Sequence, residues 1–238
     1  MRAGELSEAI EEFTKSLDLE ASSSFTLAHR AEAYQAIGDT AHALADAQGA
    51  ASLEPGSARM LMLLASVQSD AGNFEGALIT LNKAIAIRGE TFELLSLRGV
   101  AYARNHDQTS SQSDIAAARA KAYNSADLNN LCWWLATAGV ELDSALSACE
   151  AAIALQPRGS EALDSRGFVL LRLGRYAEAI ASYDDALDAK PTSAASLYGR
   201  GLAKQRKGDQ AGADRDMKLA VVFDRRIGET FERYGLKP

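Results

Sequence analysis

The sequence predicts an all-α fold built from repeating pairs of antiparallel helices. Three observations predict it: a residue pattern that recurs every 34 residues, apolar residues spaced three and four apart within each copy, and a composition suited to closely packed helices. Hydrophobic residues make up 47% of the 238 residues, aromatic residues only 7%, and there are four prolines. Alanine is abundant, which favours helices that approach closely over a sheet.

The repeating pattern is clearest in the segment where Gly174 joins two helices. Its marker residues are Gly167, Ala179, Tyr183 and Ala186, and a step of 34 residues forward reaches Gly201, Ala213, Met217 and Ala220. Steps backward from the last three places reach Ala145, Cys149 and Ala152; Ser111, Ile115 and Ala118; Ala77, Leu81 and Ala84; Ala43, Ala47 and Ala50; and Ala9, Phe13 and Ser16. Residues of the same character therefore recur in one phase along almost the whole chain.

This spacing and residue choice resemble the tetratricopeptide repeat family, in which small residues let paired helices approach closely. The resemblance implies a right-handed superhelical solenoid of antiparallel helix pairs, which we expect to form a single domain over residues 1–238. The predicted divisions are a half repeat at 1–23, repeats at 24–57, 58–91, 92–125, 126–159, 160–193 and 194–227, and a capping helix at 228–238. In the capping helix, Phe231 and Tyr234 are expected to cover the apolar face of the last repeat.

Three elements depart from the regular phase. At the start, Met1 falls near the end of a first helix and residues 5–20 supply only a second helix, so we expect a piece of a longer chain or a trimmed start. In the third repeat His106 replaces the turn glycine and the second helix is weak, which predicts a joint at residues 105–125. In the fourth repeat the first helix lies one residue early, with the extra residue taken up in the following turn.

Charge limits the classes of partner. The formal net charge of −7 argues against a nucleic-acid binder, because phosphate binding needs clustered Lys and Arg. Residues 194–238 carry a net +4 and the rest of the chain −11. Two solvated faces explain this asymmetry, and the alternative is a basic end that docks an acidic partner or the acidic start of another copy. No apolar stretch resembles a membrane span or a secretory signal, so no membrane insertion is expected.

Arg and Asp recur together at the seventh and twenty-third places of three repeats. These pairs are Arg30 with Asp46, Arg98 with Asp114, and Arg200 with Asp216. We predict structural ion pairs that link the two helices of each repeat. The alternative interpretation is that the arginines bind a carboxylate of a ligand.

The resemblance also implies a binding groove, because first helices of this family line a concave face. The places that face it in the last three repeats include Asn129, Trp133, Phe168, Leu171, Arg172, Tyr198, Leu202 and Arg206. Their aromatic residues and leucines form a candidate apolar strip, with the arginines at its margin. An exposed strip of this kind marks an interaction site, whereas packing against neighbouring repeats is the alternative.

The family's clamp for an acidic peptide C-terminus is missing. It uses Lys and Asn at the fifth and ninth places, which here hold Ala28 and Glu32, Met62 and Ser66, and Ser96 and Val100. We therefore expect an apolar or amphipathic segment as the ligand.

No residue pattern predicts catalysis, a cofactor or a metal site. His29, His42 and His106 lack ligand spacing, and no phosphate loop or serine elbow occurs. Cys132 and Cys149 occupy facing places of one repeat, and we interpret them as two free buried thiols, with a disulfide as the alternative. A disulfide, or a signal sequence on a parent chain, would favour a periplasmic location over a cytoplasmic one.

The sequence thus predicts a scaffold without catalytic activity that binds a protein or peptide segment in its groove. Two alternatives stay open: a regulatory or assembly domain of a larger bacterial enzyme, and a module that associates with itself. Function inferred from such a resemblance is an analogy until the site is described.

Overall fold

A computed structural model describes residues 3–19 and 22–238, and within them the fold is all-helical. Fourteen helices occur in these ranges: α1 Ala3–Leu19, α2 Ser24–Ile37, α3 Thr40–Leu53, α4 Ala58–Asp70, α5 Phe74–Arg88, α6 Phe92–Arg104, α7 Gln108–Lys121, α8 Ser125–Ala138, α9 Leu142–Leu155, α10 Ser160–Arg172, α11 Tyr176–Ala189, α12 Ala194–Arg206, α13 Gln210–Phe223 and α14 Ile227–Arg233. They form antiparallel pairs of the tetratricopeptide type, as the sequence predicts.

The chain divides into two compact units, Met1–Asp114 and Ile115–Pro238. Unit 1 contains the pairs α2/α3 and α4/α5, whereas unit 2 contains the pairs α8/α9, α10/α11 and α12/α13. The division falls within α7 and within the predicted joint at residues 105–125. The predicted single domain and the repeat boundaries stay predictions, and residues 1, 2, 20 and 21 of the predicted half repeat lie outside the described residues.

Small residues at the 34-residue places lie in the helix interfaces. Ala43, Ala77, Ala145, Ala179 and Ala213 are all completely buried. Because a methyl group occupies little space, the facing helix approaches closely there, and larger residues from neighbouring turns fill the remaining core. The abundant alanines of the sequence therefore allow the paired helices to pack closely.

Capping residues set where the helices begin. Ser23, Ser57 and Ser193 each accept a hydrogen bond on Oγ from a backbone N–H three residues on, at the starts of α2, α4 and α12. Asp39 and Asn73 do the same at the starts of α3 and α5. These contacts satisfy N–H groups that the first helical turn leaves free.

Glycines in the left-handed conformation join the two helices of a pair. Gly38, Gly72, Gly139, Gly174 and Gly208 have φ between 71° and 89°. His106 takes the corresponding position in unit 1 with φ 63°, a conformation that disfavours side chains with a Cβ. The turn of the third repeat, which has His106 in place of glycine, is therefore strained.

No helix in the described residues combines the length and the apolar character that crossing a membrane requires.

Candidate functional site

The predicted aromatic strip lies in unit 2, where the first helices of three successive pairs each contribute one ring. Trp133 comes from α8, Phe168 from α10 and Tyr198 from α12. The ring centroids of Trp133 and Phe168 are 5.2 Å apart. Since these helices lie side by side, their aromatic residues share one face of the unit.

Helix α14 lies on this strip. The ring of Phe231 is 4.9 Å from that of Tyr198 and 5.7 Å from that of Phe168, measured between centroids. Tyr234 follows one turn later and meets Trp133 edge-on at 5.6 Å and Phe168 at 5.7 Å. The sequence predicts a cap over the last repeat, but α14 and the following Tyr234 together contact residues from three helix pairs.

Most residues of the strip are buried beneath this segment. Phe168 is 1% exposed, Tyr198 6% and Phe231 3%. Leu171 and Leu202, the other apolar residues of the predicted groove, are also buried, and Trp133 is half-buried. Burial raises the pKa of the Tyr198 hydroxyl, and the negative charge of Glu232 adds to the effect. The strip is therefore an occupied surface in this structure.

The two predicted groove arginines donate hydrogen bonds to the backbone of the segment that covers the strip, residues 227–238. Arg172 donates from Nη2 to the carbonyl oxygen of Tyr234, and its guanidinium lies 5.4 Å from the centre of the Phe168 ring. Arg206 donates from Nη2 to the carbonyl oxygen of Lys237 over 2.8 Å. Both arginines therefore bind groups that every peptide carries.

Two polar side chains on the same helix faces have an unmatched oxygen. Asn129 stands one turn before Trp133 on α8, and Gln205 stands one turn after Leu202 on α12. Asn129 Oδ1 and Gln205 Oε1 are buried without a hydrogen-bond partner among the described residues. Asn129 is a predicted groove residue.

A polar cluster adjoins the strip where Asp164 precedes Phe168 on α10. Ser196 of α12 donates to Asp164 Oδ1 from its hydroxyl. Burial raises the pKa of Asp164 to about 6, although the hydrogen bond from Ser196 acts in the opposite direction. The carboxyl therefore binds its proton at a higher pH than an exposed aspartate does.

The three predicted Arg–Asp pairs each lie in two-pronged contact. Arg30 Nε and Nη2 donate to Asp46 at 2.7 and 2.8 Å, Arg98 to Asp114 at 2.6 and 2.9 Å, and Arg200 to Asp216 at 2.7 and 2.8 Å. Burial favours a raised pKa for Asp216, but hydrogen bonds from Arg200 and Lys204 outweigh it and hold the pKa below its ordinary value. The carboxylates are satisfied by this chain's own residues.

Each of these arginines also donates a hydrogen bond to a residue of the preceding helix, a contact that the sequence did not predict. Nη1 of Arg30 donates to Thr14, that of Arg98 to Asn82, and that of Arg200 to Asp184, always 16 residues earlier. One guanidinium thus connects its own helix, the second helix of its pair and the second helix of the preceding pair.

Cys132 and Cys149 form a disulfide between α8 and α9. Their interpretation as free thiols is therefore wrong. The facing places bring the Cα atoms within 5.3 Å, which lies in the range that a disulfide spans. Both residues are completely buried, and Cys132 directly precedes the strip residue Trp133 in sequence.

The corresponding first-helix residues of unit 1 are more polar. Arg59 on α4 lies with its guanidinium 5.8 Å from the ring centre of Phe25 and 3.8 Å from Glu32, both on α2. Gln35 on α2 donates to Ser66 on α4 over 2.9 Å. Phe25 is 58% exposed, so this face presents an exposed ring beside charged groups.

Two repeat profiles match the sequence. One, described as a tetratricopeptide repeat, matches residues 29–91, and another, described as a TPR repeat, matches residues 167–208. The chain is a tetratricopeptide repeat protein. Tetratricopeptide repeat domains generally mediate protein–protein interaction and are typically non-catalytic.

Solved structures share the fold of this tetratricopeptide repeat protein. A tetratricopeptide repeat protein from Parabacteroides merdae is 20% identical over 98% of this chain and 93% of its own, with a TM-score of 0.63. A chain of the APC/C hetero-tetramer Cut9–Hcn1 is 13% identical over 98% of this chain and 46% of its own, with a TM-score of 0.60. Among curated proteins, none matches the sequence.

In the part of this tetratricopeptide repeat protein that the structure describes, His, Cys, Asp and Glu residues form no group of three or more suited to a metal ion.

Proposed function

We propose that this tetratricopeptide repeat protein is a scaffold without catalytic activity whose unit 2 strip binds a short helical segment of another polypeptide. One observation supports the proposal most directly: the strip already accommodates a helix, α14, whose Phe231 lies against Phe168 and Tyr198, and the next turn of the chain places Tyr234 against Trp133. A face that packs against one amphipathic helix has the shape and chemistry to receive another.

The chemistry of the strip defines the class of ligand. Aromatic rings and leucines bury apolar side chains, and such residues at the centre of an interface contribute most of its binding energy. Arg172 and Arg206 bind carbonyl oxygens, so they orient a polypeptide without selecting its side chains. The ligand that fits is a short amphipathic helix followed by a less regular segment.

The proposal is tested by selecting peptides on the immobilised protein. A displayed library of 16-residue peptides is selected on the wild-type chain and on chains with altered α14, and the affinities of recovered peptides are measured by fluorescence anisotropy. Trp133→Ala combined with Phe168→Ala should weaken binding at least tenfold while helical content persists. Phe25→Ala in unit 1 is the matched control and should bind like its parent. Binding that survives the double substitution rules out the strip as the site.

We also propose that the protein works in an oxidising compartment. The support is the buried disulfide Cys132–Cys149, because disulfides persist in secreted and periplasmic proteins and are rare in the reducing cytosol. Protein isolated from its native source under acid quench, then unfolded in denaturant at neutral pH and treated with an alkylating reagent, should show no added mass. Two alkylated cysteines would contradict this location.

A further inference from the structure

We infer that residues 227–238 are an internal ligand of the strip, which a partner segment must displace before it binds. The inference rests on the proposed function and makes it specific. It names the competitor, this chain's own segment, and the class of partner, a helix that presents two aromatic residues three positions apart.

The covering segment has the composition of a helical ligand. Phe231 and Tyr234 are three residues apart, so their rings project from one side of the segment toward the strip. Ile227, one turn before Phe231, is also buried, whereas Glu229 and Glu232 are exposed. An apolar side and a charged side on one short helix are the features of segments that bind in grooves.

The segment is held by contacts that a different peptide can reproduce. The carbonyl of Tyr234 lies at the negative end of α14, where the positive charge of Arg172 is favourable to any helix that ends at that place. Lys237 is bound through its carbonyl oxygen and not through its side chain. Sequence therefore matters mainly at the apolar positions Ile227, Phe231 and Tyr234, and exchange costs no hydrogen bond of the backbone.

The tether sets how strongly the internal ligand competes. Only residues 224–226 separate α13 from α14. A short tether gives an effective concentration on the order of 1 mM. If a free copy of the segment binds the opened strip with a Kd of about 10 µM, the tethered copy weakens binding of that free copy about 100-fold.

The test uses a peptide of residues 225–238 with blocked ends and the full chain in three forms. The strip is opened by Phe231→Ala with Tyr234→Ala, and Phe223→Ala, at the exposed end of α13, is the matched control. Titration calorimetry measures peptide binding. We expect the opened chain to bind about 100-fold more tightly than wild type, and the control to behave like wild type. Binding should also change the fluorescence of Trp133, one of only two tryptophans.

Three outcomes would overturn the inference. If the chain with the opened strip folds but does not bind the peptide, the segment is a fixed part of the core. Equal binding to wild type and opened chain shows that the segment does not block the strip. If light scattering finds that the wild type is a dimer and that altering α14 dissociates it, the segment of one copy occupies the strip of another.

A second variant keeps the inference testable if the opened chain loses helical content. A protease site inserted at residues 224–226 of the full chain allows the tether to be cut after folding. The cut segment should then dissociate on dilution and exchange with labelled peptide, whereas retention at nanomolar concentration counts against an exchangeable ligand. If library peptides bind the opened strip and the 225–238 peptide does not, the proposed function stands and this inference fails.

Discussion

Tyr183 carries a hydroxyl that folding takes out of water without providing a partner. The side chain is 0% exposed, and its hydroxyl oxygen has no hydrogen-bond partner within the described chain. Burial, and to a smaller degree the negative charge of Asp164, raises the pKa of this hydroxyl well above its ordinary value. The hydroxyl is therefore neutral and unmatched, and we predict that Tyr183→Phe increases the free energy of unfolding.

The size of the gain follows from the surroundings of the ring. A buried hydroxyl without a hydrogen bond costs about 1–3 kcal/mol. Phenylalanine keeps the ring that fills the space beside Gly167 and Gly199, so packing is conserved apart from one oxygen atom. Allowing for the small void that remains, we expect a gain of about 1 kcal/mol. For a chain of this length the melting temperature should rise by about 2–4 °C.

Urea unfolding followed by circular dichroism measures the difference. Tyr123→Phe is the matched control because Tyr123 is 94% exposed, and its unfolding free energy should change by less than about 0.5 kcal/mol. A loss of more than about 1 kcal/mol in Tyr183→Phe, with the control unchanged, would show that the hydroxyl is bonded in the folded protein and would refute the reasoning.

Three further substitutions test other features by the same unfolding measurement. His106→Gly should add about 1 kcal/mol, because it relieves a left-handed residue; a lower urea midpoint would contradict this. Arg200→Lys should cost about 2 kcal/mol, since the charge stays but the two-pronged contact with Asp216 is lost; an unchanged midpoint would show that the fork adds nothing. Asp164→Asn should stabilise by up to about 3 kcal/mol at pH 8 and not at pH 4. The folded carboxyl, with a pKa of about 6 against an ordinary 3.8, binds more protons than the unfolded one between these values, so wild-type stability falls as pH rises through them. Equal effects at both pH values would contradict the sign.

The helix pairs were predictable because their determinants repeat. A glycine such as Gly174 and a small residue such as Ala179 act through local geometry and close approach, so the same residue type returns after each period. The partners Arg30 and Asp46 were predictable for the same reason. The backward contact to Thr14 was not, because that place varies in chemistry from repeat to repeat while the contact remains.

The occupant of the strip was not predictable from periodicity. Residues 227–238 have no counterpart in the repeat, and periodicity identifies only neighbours within the array. The one available signal was the spacing of Phe231 and Tyr234, which indicates a helix with one aromatic side but not which surface that side meets. The cysteines were wrongly interpreted as free thiols for a related reason, since facing places bring two cysteines together without fixing their oxidation state.

The arginine bridges also bear on how the array unfolds. The stability of a repeat array depends on the coupling between neighbours as well as on each repeat alone. In unit 2 the bridge from Arg200 to Asp184 is an ion pair. In unit 1, Arg30 and Arg98 donate to the neutral side chains of Thr14 and Asn82, and α4 carries Leu64 at the same place and packs there through apolar contacts. Salt weakens charged contacts and leaves apolar ones intact. The junction of α11 and α12 in unit 2, which the ion pair bridges, should therefore lose stability as salt increases, whereas the apolar junction of α3 and α4 in unit 1 should not.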